Sequence, residues 1–114
     1  MVEFTPKEYD KLDSYLRACG HDRDGCRVRW EDGLVFGVYR PRPEWIGISN
    51  HCFGMIKLIT PCVVHELTHR LQYKRSGSRV AYYLGLTLFR IWWEREAVAA
   101  EREAERLLGI DLGD

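Results

Sequence analysis

No histidine follows position 69, no pair of cysteines has the spacing Cys-x-x-Cys, and neither sign of charge is in excess. Each absence narrows what the chain can be. Lys+Arg and Asp+Glu both number 17, so no long-range field draws a polyanion, and nucleic acid is not an expected partner. The four cysteines (Cys19, Cys26, Cys52 and Cys62) stand apart from one another. Met1 to Pro6 includes Glu3, and no apolar leader segment follows. Free thiols in a reducing, cytoplasmic setting are therefore expected, and not a disulfide framework. The most apolar run, 80–93, includes Arg90 and is too short and too charged to span a bilayer. It reads as a buried helix, with a role at a membrane interface as the alternative. Repeats, low-complexity tracts and an interdomain linker are missing as well.

What remains is one small domain over residues 1–114, 46% hydrophobic, with enough apolar material for one core and not two. Thr5-Pro6-Lys7-Glu8 predicts a capped helix to about Ala18, with Thr5 as N-cap, Glu8 closing a capping box, and Tyr9, Leu12 and Leu16 on its apolar face. Gly20 to Gly25 is a turn. The loop from Cys19 to Cys26 (Cys-Gly-His-Asp-Arg-Asp-Gly-Cys) has turn residues but no zinc spacing. His51 reads as a loop or strand-end residue. Strands are expected at 27–30 and 34–39 as a hairpin about Glu31-Asp32-Gly33, with Pro41 and Pro43 breaking the pairing, and again at 45–48 and 53–59. Helices are expected at 61–75, 79–93 and 94–108, the last two continuous or kinked, with Gly109 as the final stop. The expected class is α+β: a small, mostly antiparallel sheet packed on the helix of 61–75 and on the C-terminal helices.

The chemistry is concentrated in His65-Glu66-Leu67-Thr68-His69. On a helix, residues four apart share a face, so His65 and His69 can aim two imidazoles at one ion, while Glu66 can reach a water beside it. Two helical histidines and a glutamate base are the zincin arrangement, with zinc as the metal. Thr60-Pro61 supplies a helix start. Val64, Leu67 and Leu71 are expected to form the buried face, and His65, His69 and Tyr73 a second stripe. Gly77 supplies a stop.

Catalytic zinc usually takes three protein ligands. Position 75 is Arg, so a third histidine is ruled out, and the downstream carboxylates are Glu94, Glu96, Glu101, Glu103, Glu105, Asp111 and Asp114. Glu94 and Glu96 stand out, because there an aromatic stretch gives way to alanines that allow close helix packing. The basic residues Arg70, Lys74, Arg75 and Arg79 suit the end of the motif helix.

The His-Glu-x-x-His helix followed by Glu96-Ala97 resembles the gluzincins, zinc metallopeptidases whose third ligand is a glutamate. The run Ile48 to Gln72 is also similar to small bacterial and phage-type domains of that group. The likeness extends roughly over positions 46–107 and is specific at the motif and at Glu96-Ala97. It implies a zincin-like fold, zinc on His65, His69 and Glu96 (Glu94 being the alternative), and peptide-bond hydrolysis with Glu66 as general base. It implies also a sheet-edge strand, immediately before the motif, that pairs with an extended substrate. The chain departs from the family where an Asp usually stands four residues after the ligand glutamate. That place holds Ala100 counted from Glu96 and Val98 counted from Glu94, and Glu101 is a substitute one residue out of register. Tyr73, Tyr82 and Tyr83 are candidate donors to a developing oxyanion. The alternatives are a zincin-like module that binds a protein partner without cutting it, and a hydrolase of some other amide.

Overall fold

The computed structural model describes residues 2–110; Asp111 and Asp114 lie outside them. The elements run β1 (Val2–Glu3), α1 (Pro6–Ala18), β2 (Arg27–Glu31), β3 (Gly37–Pro41), β4 (Glu44–Ser49), a short 3-10 turn (Asn50–Cys52), α2 (Ile56–Ser76), α3 (Arg79–Leu88) and α4 (Arg90–Leu107). The class is α+β, with a mixed sheet in the order β1-β2-β4-β3. Both outer pairings, β1 with β2 and β3 with β4, are antiparallel, whereas the central pair β2 and β4 runs parallel over Arg27↔Trp45 to Glu31↔Ser49.

The capping box forms as its residues require, with Thr5 Oγ1 accepting from the Glu8 amide at 3.2 Å and Glu8 accepting from the Thr5 amide at 2.9 Å. Leu12 and Leu16 of α1 are buried against the inner face of the sheet, where Val28, Trp30, Ile46 and Ile48 alternate with outward residues. Ile59, Val63, Val64 and Leu67 of α2 complete this core. Leu71, expected on the buried face, is exposed, and the stripe instead starts further back at Ile56.

The expected hairpin between β2 and β3 does not form, because β4 lies between them. Ile46 and Ile48 make β4 the strand best paid for by two neighbours, whereas β3 ends in Pro41 and suits an edge. The hairpin that does form joins β3 to β4 through Arg42 and Pro43, with Pro41 opposite Glu44, so the prolines turn the chain where they were expected to break pairing. Residues 53–59 are not a strand. Gly54 (φ 82°) turns the backbone, and α2 begins at Ile56, which places Pro61 inside the helix and not at its start. An interior proline costs about 3 kcal/mol through its missing N–H. Here its ring is fully buried, and Thr60 Oγ1 donates to the Ile56 carbonyl at 2.7 Å.

The 79–93 run breaks at Phe89 into α3 and α4. Gly85 is required at this corner, since a Cβ there would meet the Trp93 ring at 2.2 Å. α3 is not a buried helix: Tyr82 and Gly85 are buried, while Val80, Leu84 and Leu88 face outward. α4 turns Ala97 and Ala104 inward and packs closely along α2. No helix among the described residues is long and apolar enough to cross a membrane.

Candidate metal centre

α2 presents His65, Glu66 and His69 toward α4, with the two imidazole centroids 5.0 Å apart. Of the two glutamates weighed for the third position, α4 brings Glu94 and not Glu96. Glu94 places one carboxylate oxygen 2.6 Å from His69 Nε2 and the other 3.4 Å from His65 Nε2. One donor atom from each of these three residues lies within 4.8 Å of the others, the one such His/Cys/Asp/Glu group among the described residues. Glu96 points elsewhere: it accepts from Gln72 Nε2 at 2.8 Å and from Arg75 at 2.6 Å, and these two partners hold its carboxyl below the usual range.

The far nitrogens of both rings are also held. His65 Nδ1 lies 2.7 Å from Glu101 Oε1 and His69 Nδ1 lies 2.8 Å from Gln72 Oε1. Gln72 uses its amide nitrogen to donate to the Trp93 carbonyl (3.0 Å) and to Glu96, which leaves its oxygen as the acceptor and makes His69 Nδ1 a donor. Glu101, as a carboxylate, likewise accepts from His65 Nδ1–H. In the neutral rings both Nε2 atoms therefore carry lone pairs, and both face the lone pairs of Glu94. Acceptors 2.6 Å apart need a positive particle between them, a proton or a metal cation. Two imidazoles and one carboxylate are a donor set suited to zinc, and the orienting partners on the far nitrogens are typical of such sites. The residues fit the metal.

Glu66 sits beside this group, 6% exposed. Its carboxyl is pushed up to about 7, chiefly by burial and then by the charges of Glu94 and Glu101, against the opposing pull of His65 and the Tyr39 backbone amide. The Glu101 hydrogen bond raises His65 above the ordinary histidine value, outweighing its burial. A cleft of about 360 Å³ opens over these side chains, with Phe36, Gly37 and Cys62 as its remaining wall. β3 comes close to α2 here: a Cβ on Gly37 would meet Cys62 Sγ at 2.8 Å. Burial pushes the Cys62 thiol well up, so it is a packing group and not a nucleophile.

Of the tyrosines, Tyr82 is buried and stacks edge-on with Tyr73 and Tyr83. Burial raises its hydroxyl far above the ordinary value. Arg70 is directed away to Glu44 and Asp24. Cys19 and Cys26 are buried, His51 lies in the exposed 3-10 turn, and all four cysteines are free. The residue missed from sequence is Gln72, whose one available signal was its place one turn after His69. In comparisons with family models, curated proteins and solved structures, nothing matches the chain.

Proposed function

We propose that the chain is a zinc-dependent metallopeptidase of the glutamate-zincin type, with His65, His69 and Glu94 holding the metal and Glu66 as general base. The observation that carries this reading is the convergence of those three donors beside a buried carboxyl in an open cleft. Zinc held there would lower the pKa of water toward neutrality and polarise a substrate carbonyl. Glu66, buried beside these donors, would take the proton from the attacking water and pass it to the leaving amine. Glu101 and Gln72 keep the two imidazoles in the tautomer that leaves Nε2 available.

The zincin-like reading of the fold belongs to the same proposal. Among the described residues β3 pairs with β4 on one side only, and it begins at Gly37, in the wall of the cleft. An extended peptide added to its other side would receive backbone hydrogen bonds beside the reacting groups. This edge comes from β3 and not from residues 53–59. We place the chain in the reducing cytoplasm, which its four free cysteines support.

The test is zinc content and cleavage of an unfolded protein such as casein by the parent chain and three variants. Glu66→Gln keeps zinc and loses about 10²- to 10⁴-fold in cleavage. Glu94→Gln loses zinc, and Glu96→Gln retains it. Undiminished cleavage by Glu66→Gln would overturn the mechanism. Zinc binding with no cleavage by the parent chain would favour the partner-binding module instead.

A further inference from the structure

The outward face of α3 and the corner it forms with α4 are apolar and have no partner among the described residues. Val80, Leu84 and Leu88 succeed one another at i, i+4 and i+8 and are 55–70% exposed. Beyond the break, Ile91 and Trp92 are each 66% exposed. Solvated helix faces are ordinarily polar, and an apolar stripe continued over two elements marks a contact surface.

Charge decides what the surface contacts. From Ser76 to Trp93 the chain carries Arg79 and Arg90 and no carboxylate. Alongside α3 runs a groove of about 400 Å³ between this helix and the β3–β4 hairpin, lined by Arg40, Arg42 and Arg79 together with Tyr82 and Tyr83. Among the described residues, Arg40 alone of these three arginines meets a carboxylate, Glu31 at 2.9 Å. At the other end of the face, Arg95 lies 5.6 Å over the Trp92 ring. The apolar stripe is thus bounded at both ends by cationic side chains and exposed aromatic rings. A second copy docked on the same stripe would bring arginines against arginines, with no acidic residue between Ser76 and Trp93 to meet them. A bilayer with anionic headgroups satisfies both parts: the apolar side chains enter the acyl boundary, and the arginines remain at phosphate level.

We propose that this face docks the protein on the surface of an anionic phospholipid membrane, without spanning it. The inference is independent of the metallopeptidase reading, since binding needs neither zinc nor cleavage. The test is sedimentation of the full chain with vesicles of phosphatidylcholine alone or mixed with phosphatidylglycerol, at low and at high salt. Binding is expected to the mixed vesicles, weak to the neutral ones, and reduced by salt. Leu88→Asp and Ile91→Asp abolish it, with folding checked by circular dichroism. Arg42→Ala and Arg79→Ala, which touch only the groove, each lower the partition coefficient about fivefold. The proposal is overturned by equal binding to both vesicle types or by none to the mixed ones. It is equally overturned by a dimer that Leu88→Asp splits while the parent chain ignores vesicles.

Discussion

Two glutamates, Glu31 and Glu66, are almost equally buried, at 3% and 6% exposure, and their surroundings do opposite things to them. On the outer face of the sheet, Glu31 lies 3.0 Å from Arg29 and 2.9 Å from Arg40, and these guanidinium groups hold its carboxyl below the usual range. In the cleft, Glu66 is joined by the carboxylates of Glu94 and Glu101 and the imidazole of His65, with no lysine or arginine in the lining among the described residues, and its carboxyl is raised to about 7. One cluster neutralises itself and serves the fold. The other is assembled with more acceptors than donors and is balanced only by protons or a bound cation. Burial of a carboxylate is thus no mark of function by itself; what separates the two is whether the charge has been answered within the chain.

The contrast is sharpened most by Glu101. If its hydrogen bond fixes the His65 tautomer for the metal, Glu101→Ala weakens zinc about 10- to 100-fold, as measured by competition with a chelating dye, while Glu101→Gln, which keeps an acceptor as Gln72 does for His69, loses less. Equal affinity in Glu101→Ala and the parent chain would make the contact incidental. The next effect is on stability. Glu31→Gln strips one charge from a pairing with two arginines and is expected to cost about 1–2 kcal/mol in urea unfolding. Glu66→Gln in the chelator-treated chain removes an unanswered buried charge and leaves stability unchanged or raised. A loss at Glu66 as large as that at Glu31 would erase the distinction between the two clusters.

The cleft was only partly legible in the sequence, and α4 shows why. His65, Glu66 and His69 sit on one helix, so local spacing suffices to group them. The choice between Glu94 and Glu96 depends on how α4 is rotated against α2, which its own residues set only once the packed stripe is known. Ala97 and Ala104 are that stripe. At about 100° per residue, Glu94 and Glu101 fall on one flank of Ala97, within about 60° of it, and Glu96 falls about 100° to the other side. The pairing Glu96-Ala97 gave an order along the chain but no direction around the helix. The Thr5–Glu8 capping box was legible because both partners lie within one turn. The strand order was not, since the place of β4 between β2 and β3 reflects competition among strands distant in sequence.

The smallest effect is the pH dependence, and it runs in opposite directions at the two glutamates. Glu31 has a folded value below its unfolded one, so its contribution is complete above the ordinary carboxylate range and is lost as pH falls through the depressed value. The stability gap between the parent chain and Glu31→Gln should therefore narrow on acidification. Glu66 has a folded value above its unfolded one, so the folded state binds the extra proton. In the metal-free chain its effect is to lower stability as pH rises from about 4.5 to about 7. Chelator-treated parent and Glu66→Gln should then match at pH 4 and diverge toward pH 8, with the variant the more stable. Added zinc should stabilise both chains by mass action, since Glu66→Gln keeps the three donors, and should narrow the gap between them at pH 8, because in the parent chain the cation also answers the Glu66 charge. Parallel pH profiles for the two variants would show that the carboxyls of cleft and sheet are answered alike, and the case for a cation at His65, His69 and Glu94 would lose its electrostatic basis.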